Sequence, residues 1–170
     1  MAKRIAVYAG SFDPFTSGHH NIIDRAGSAF DHLHIAMGVN SSKKTLFTIE
    51  ERIDMIHHEC GHLIRTRDIT VTHFEGLLVD YCKKVNASVI LRGLRAVMDF
   101  EYEMGIAFAN KTQAPDVETV FLPTDPVYSF VSSSVVKEIA SHGGNVRAFC
   151  SPYVEQRLWA KFDRSKKSDG

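Results

Sequence analysis

Four short stretches of this chain carry side chains suited to holding phosphate. The first, Ala9-Gly10-Ser11-Phe12-Asp13-Pro14-Phe15-Thr16-Ser17-Gly18-His19-His20, has two glycines, three hydroxyls and a histidine where a helix should begin. A helix N-terminus presents free N–H groups and a partial positive charge, and a histidine there adds a directed donor. The stretch is neither GxGxxG nor a Walker A loop, since no Lys-Ser/Thr pair follows its second glycine. An ordinary strand-to-helix turn, capped by Thr16 or Ser17, accounts for the same residues. The second stretch, Asn40-Ser41-Ser42-Lys43-Lys44, is polar and basic; taken alone, a lysine pair is a solvated surface. The third, Arg92-Gly93-Leu94-Arg95, sets two arginines three apart, and their planar forks suit phosphate oxygens. Pairing with Asp99, Glu101 or Glu103 would instead leave them structural. The fourth, Tyr128-Ser129-Phe130-Val131-Ser132-Ser133-Ser134, puts three hydroxyls and free amides at a helix start. One serine there is a cap; three make an anion cradle.

Whether these stretches meet depends on the elements between them. Short apolar runs at 4–9 (RIAVYA), 33–39 (LHIAMGV), 69–73 (ITVTH), 87–91 and 118–122 (ETVFL) predict five strands. They are rich in β-branched residues and lack polar alternation, which suits a parallel sheet covered on both faces. Helical periodicity predicts helices at about 19–30, 49–60, 77–85, 99–111, 133–142 and 152–162. Thr48 with Glu51 forms a capping-box pattern, and Ser151-Pro152 sets a cap before a proline at the first helical position. Strand and helix alternating in this way predict a single-domain α/β fold. It is a doubly wound, Rossmann-like parallel five-stranded sheet with helices on both faces. Ligands bind beyond the carboxyl ends of such strands. All four stretches follow strands, so His19, Lys43, Arg92, Arg95 and the serine run share one edge. That convergence predicts a polyphosphate site.

Composition narrows the partners. The chain has 170 residues and 44% apolar content, which fits one domain with a sizeable core. Twenty basic residues balance twenty acidic ones. A duplex nucleic-acid binder would need a broad basic face, so nucleic acid is excluded as a partner. Cys60, Cys82 and Cys150 lie far apart and form no CxxC, which fits a reducing compartment. No signal peptide and no apolar run of membrane-spanning length is read, so the expected location is cytoplasmic, away from membranes. The tail at 163–170 (DRSKKSDG) is polar and expected to be disordered.

The same residues carry a family resemblance. Thr16-Ser17-Gly18-His19 resembles the T/HxGH motif of the nucleotidyltransferase superfamily, and 131–137 (VSSSVVK) resembles its second motif, the ISSSxxR/K type. Within the superfamily, Ser42-Lys43-Lys44, Arg92-Gly93-Leu94-Arg95, Asp99-Phe100-Glu101-Tyr102-Glu103 and the run from Tyr128 to Ser134 are similar to the bacterial phosphopantetheine adenylyltransferases. The resemblance runs from about Lys3 to Phe162, and the pattern RGLRxxxDFEYE is specific to that family. Ser11 departs from it, since the family usually has threonine there; the hydroxyl is kept and the methyl lost. The Cys/His-rich segment at 57–62 also departs.

The resemblance implies a nucleotidyltransferase domain over 1–162 that transfers AMP from ATP to 4′-phosphopantetheine, giving dephospho-coenzyme A and pyrophosphate. The nucleophile is then a phosphate oxygen already ionised at neutral pH, so no protein general base is needed. Carried over residue by residue, the catalytic set is His19, Ser11 and Lys43. ATP falls to Ser11, Phe12, His19, Gly93, Leu94, Arg95, Glu103 and the segment Tyr128, Ser129, Phe130, Val131, Ser132, Ser133 and Ser134. The acceptor falls to Ser11, Lys43, Leu78, Arg92 and Glu103. The resemblance further implies Mg2+ accompanying ATP, a homohexamer, coenzyme A as feedback inhibitor, and no metal bound by the protein's own side chains.

Three competing readings stand beside this one. His58-Glu59-Cys60-Gly61-His62 matches the zinc-protease pattern HExxH, but Gly61 reads as a helix end that leaves His62 outside, and no third ligand follows. A second is another transferase of the superfamily, acting on nicotinamide mononucleotide or glycerol phosphate. A third is a non-catalytic nucleotide-binding module, against which the retention of Ser11, His19, Lys43, Arg92 and Arg95 together argues.

Overall fold

The computed structural model describes residues 3–39 and 44–162. Five strands, β1 (Ile5–Gly10), β2 (His32–Gly38), β3 (Ile69–Phe74), β4 (Val89–Leu94) and β5 (Glu118–Pro123), form one parallel sheet in the order β3-β2-β1-β4-β5. Helices α1 (Ser17–Ala29), α2 (Ile49–Thr66), α3 (Leu78–Lys84), α4 (Val97–Gln113), α5 (Ser133–Ser141) and α6 (Pro152–Lys161) connect and cover the strands, with a 3-10 turn at Pro126–Tyr128. The first two crossovers run outward from β1 on one side and the later ones on the other. The strand order therefore reverses between β1 and β4, and the crevice of such sheets opens there.

Strand alternation explains the two-sided core. Ala6 and Tyr8 of β1 face Ile22, Ile23, Met55, Ile56, Val136 and Leu158 from α1, α2, α5 and α6. Val7 and Ala9 face the opposite layer, where Val79, Cys82, Ile90 and Val117 pack. Each face is apolar because each is covered, which is why the strands read as unbroken runs. All three cysteines are free and buried among these side chains, and burial pushes the Cys60 and Cys150 thiols up to about 12.

Three boundaries differ from the sequence expectation in ways that bear on function. Helix α1 opens at Ser17 with Thr16 as its cap, which puts His19 inside the first turn. Strand β4 continues through Leu94, because Arg92, Gly93 and Leu94 pair with Phe121, Leu122 and Pro123 of β5. Arg92 thus stands on a strand and not on a loop. Helix α2 does not stop at Gly61 but runs to Thr66, since buried Leu63 continues its apolar stripe. An internal glycine costs about 1 kcal/mol against alanine, which such packing easily offsets. The polar tail at 163–170 lies outside the described residues.

Candidate active site

Two cavities open at the carboxyl ends of β1 and β4. The smaller, about 280 Å³, is bounded by the β1–α1 loop, the end of β4 and the start of α5. Ser11, Gly18, His19, Arg92, Gly93, Arg95 and Ser132 to Ser134 line it. The larger, about 910 Å³, lies toward β2 and α3 and is lined by Gly38, Thr48, Arg52, Leu78, Tyr102 and Ile106, among others. Ala9, Gly10, Ser11 and Arg92 belong to both. The two spaces share Ser11 and Arg92.

The β1–α1 loop is shaped from inside. Phe12 adopts a positive φ of 49°, a conformation that costs a non-glycine residue energy and needs surrounding structure to hold it. That support is its fully buried ring, which sits 5.5 Å from Tyr8 and 4.9 Å from His19, both edge-on. The ring also lies under Gly10, where an added Cβ would come within 2.9 Å of it. Position 10 therefore has room only for glycine.

The first turn of α1 fixes His19. The Thr16 hydroxyl accepts from the His19 backbone N–H at 3.4 Å, and His19 Nδ1 in return accepts from the Thr16 backbone N–H at 3.1 Å. A backbone N–H can only donate, so Nδ1 carries no proton and Nε2 carries the single proton of the neutral ring. Desolvation, and secondarily the Arg95 charge, push the His19 pKa down to about 4. His19 is thus a neutral imidazole offering one N–H to the smaller cavity.

Both arginines are pre-paired. Arg92 donates from Nε and Nη2 to the two carboxylate oxygens of buried Glu103, at 2.7 and 2.5 Å, and from Nη1 to the Ala9 carbonyl at 2.7 Å. Burial works against its charge, but the Glu103 contacts outweigh that and hold the guanidinium above its ordinary value. Arg95 forks onto Asp99 at 3.0 Å for both bonds and leans toward the Val131 carbonyl. A guanidinium has five N–H donors, so each arginine keeps some for an anion while its plane is set by the carboxylate. The serine run divides its work. Ser132 caps α5 by accepting from the Val135 N–H, Ser133 donates to the Pro14 carbonyl at 2.8 Å, and Ser134 is exposed at the helix start.

The residues expected from the sequence are not all gathered here. His19, Gly93, Arg95, Val131 and the three serines border the smaller cavity, Leu78 the larger, and Ser11 and Arg92 both. Glu103 sits behind Arg92. The Phe12 side chain is in the core, and Leu94 pairs within the sheet. Tyr128 lines a separate cavity of about 270 Å³ with Phe15, His20 and Glu59, while exposed Phe130 packs edge-on to Phe149. Ser129 borders neither main cavity. Lys43 lies outside the described residues. Tyr8, Thr124 and Arg52 also line the cavities, though no sequence motif singled them out. An arginine spaced with Met55 and Ile56 on the apolar stripe of α2 is the one sequence signal for Arg52. In the HExxH segment, His58 and His62 share α2, but the His58 ring stacks on Tyr153 at 3.7 Å. Among the described residues no three His, Cys, Asp or Glu side chains converge as metal ligands.

This fold and site define a class. The chain belongs to the cytidylyltransferase-like family, whose model matches residues 7–139. Within it the chain belongs with the phosphopantetheine adenylyltransferases. The Dictyoglomus thermophilum protein of that name is 51% identical over 157 residues, covering 92% of this chain and 94% of that protein. The Staphylococcus saprophyticus protein is 49% identical over 164 residues, covering 96% and 100%. Among solved structures, Plasmodium falciparum nicotinic acid mononucleotide adenylyltransferase complexed with NaAD superposes with a TM-score of 0.64 at 16% identity, over 95% of this chain and 97% of that one. A bifunctional NMN adenylyltransferase/ADP ribose pyrophosphatase from Francisella tularensis gives 0.70 at 14% identity, over 95% and 50%. At such identities these two structures speak for the fold alone.

The state of His19 is directly measurable. Nitrogen-15 NMR of the free protein should find it neutral at pH 7, with the proton on Nε2 and a pKa near 4. Because folding lowers this pKa, the unfolded chain takes up the proton first on acidification. The group's contribution to stability is therefore complete above pH 6.5 and declines as pH falls toward 4. A pKa near the ordinary 6.5, or an Nδ1–H ring, would contradict the capping geometry.

Proposed function

We propose that this protein transfers the adenylyl group of ATP to the phosphate of 4′-phosphopantetheine, giving dephospho-coenzyme A and pyrophosphate. The observation that carries the reading is the pair of cavities joined at Ser11 and Arg92. The smaller one is walled by phosphate-binding groups. The larger one offers a mixed polar and apolar wall for an extended acceptor. The relatives of about half identity over nearly the whole chain bear the name that supplies the acceptor.

In this reading an acceptor phosphate oxygen attacks the α-phosphorus of ATP. The new P–O bond forms as the bond to the bridging α–β oxygen breaks, and pyrophosphate leaves with that electron pair. The attacking oxygen is ionised beforehand, so positioning and charge stabilisation are the work that remains. His19 Nε2–H donates to a non-bridging α-phosphate oxygen, where charge grows as the bond forms. Ser11 and Lys43 hold the attacking phosphate, and Arg92 binds it through the N–H groups left free by Glu103. Leu78 borders the acceptor. Gly93, Arg95, Val131 and the three serines serve ATP from the smaller cavity. Leu94 and the segment from Tyr128 to Phe130 act through the backbone that places them, and Phe12 acts through the loop backbone and through His19. ATP enters as its magnesium complex, the ion being carried by phosphates and water. Coenzyme A, which shares the product's chemistry, occupies the same joined cavities as an inhibitor.

Phe100, Tyr102 and Phe108 on α4 and Val120 on β5 are exposed apolar side chains, and assembly as a homohexamer is part of this proposal. No described helix is long and apolar enough to cross a membrane, and cytoplasmic location is part of this proposal.

Pyrophosphate release tests the reaction. With ATP, only 4′-phosphopantetheine should support turnover from a panel that includes nicotinamide mononucleotide and glycerol phosphate, and CTP should not replace ATP. Turnover confined to another acceptor would overturn the assignment. For the mechanism, His19→Ala should lower kcat by about 10²–10³-fold, as loss of an oxyanion donor does. ATP affinity by calorimetry should change far less, because the serine run and Arg95 remain. His20→Ala, which alters a side chain on the neighbouring cavity, should leave kcat nearly unchanged. Near-normal turnover of His19→Ala would reject the role given to this ring.

A further inference from the structure

Two buried charged side chains beside the site are not used by the reaction just described. Arg52 on α2 is 4% exposed, and among the described residues it forms no ion pair. It donates from Nη1 to the Ser11 carbonyl at 2.8 Å and from Nε to the Thr48 carbonyl at 3.2 Å, and it lines the larger cavity. Asp13, 3% exposed, accepts from the backbone N–H groups of Leu46 and Phe47 at 3.0 and 2.9 Å and from Lys137 Nζ at 2.7 Å. A buried charge is costly unless its bonds are made, so placing one on the β1–α1 loop and a second against that loop calls for a reason beyond stability.

Their partners supply that reason. Asp13 joins the β1–α1 loop to the segment before α2 and, through Lys137, to α5. Arg52 joins α2 to the carbonyl of Ser11, a residue that borders both cavities. We infer that Arg52 and Asp13 are positioning residues for the transfer: Arg52 sets the Ser11 peptide for the acceptor, and Asp13 ties the acceptor side to the nucleotide side. The inference rests on the proposed reaction. Because Arg52 touches only the larger cavity's wall, its loss falls on the acceptor and on turnover. Asp13 reaches α5 as well, so its loss falls on both substrates.

This split separates positioning from general loosening. The variants are Arg52→Lys, Arg52→Met and Asp13→Asn, assayed by steady-state kinetics and by calorimetry with ATP alone and with 4′-phosphopantetheine alone. Melting temperature and the His19 Nε2–H resonance report the fold. Both Arg52 variants should raise the acceptor KM and lower kcat by about tenfold or more, with ATP affinity within twofold of the parent. Lysine should not rescue, because one ammonium cannot make both carbonyl bonds in the guanidinium's plane. Asp13→Asn should weaken both substrates. Unchanged acceptor KM and kcat in Arg52→Lys, equal losses for ATP and acceptor in the Arg52 variants, or an Asp13→Asn variant that keeps both affinities would overturn the inference. If Arg52→Met does not fold, Arg52→Lys decides. Failure of the parent protein to turn over 4′-phosphopantetheine would strike the reaction itself and is a separate result.

Discussion

The reciprocal bond between Thr16 and His19 is the constraint on which the rest of this site depends. Two backbone N–H groups at the start of α1 need acceptors, and the Thr16 hydroxyl and His19 Nδ1 provide them. Starting the helix and fixing the histidine are therefore one event. The same two bonds set the ring's tautomer, hold it against Phe12, and leave a single N–H for the cavity. Gly10 follows from this, since the Phe12 ring occupies the space of a side chain there. A helix start with free N–H groups, a ring left with a single donor and a tight β1–α1 turn are consequences of one cap.

Around that cap the electrostatics are arranged before any substrate arrives. A chain of zero formal charge must bind a polyphosphate with local cations alone. Arg92 and Arg95 both line the smaller cavity, and each is held by its own carboxylate, Glu103 and Asp99. The carboxylates orient the guanidinium planes and leave N–H groups for a stronger anion. This is preorganisation in the sense that matters for catalysis, because donors already aimed need no rearrangement as charge develops. His19 stays neutral for the same reason, desolvated and beside Arg95.

Much of this was legible in the residues. Five β-branched runs gave the sheet because both of its faces are covered, and Thr48 with Glu51 forms the box its spacing implied. Boundaries were less legible where tertiary pairing overrides local signals. Arg92 and Gly93 look like loop residues, yet β5 extends the ladder through them. Gly61 looks like a stop, yet Leu63 beyond it is buried and the helix continues. The arginine pair and the serine run stand out as motifs, but the partners that hold each side chain do not. The bond from Ser133 to the Pro14 carbonyl joins residues far apart in the chain, and which carboxylate takes which arginine depends on how α4 sits beside β4. Asp13 and Arg52 escaped notice for that reason. Charged residues read as surface until the groups that satisfy them, Lys137 and the Ser11 carbonyl, are brought next to them.

The central claim is that the acceptor phosphate attacks the α-phosphorus directly, across the place where the two cavities meet, with no nucleotide ever attached to the protein. The stereochemical course at that phosphorus tests it most directly. Turnover of ATP carrying sulfur at the α-phosphorus in one defined configuration, with 4′-phosphopantetheine as acceptor, gives a product whose configuration phosphorus NMR can assign. A single in-line displacement gives inversion, and inversion is the predicted result. Retention would mean two displacements through an adenylylated side chain, with His19 or Ser11 as nucleophile instead of donor, and would contradict the account.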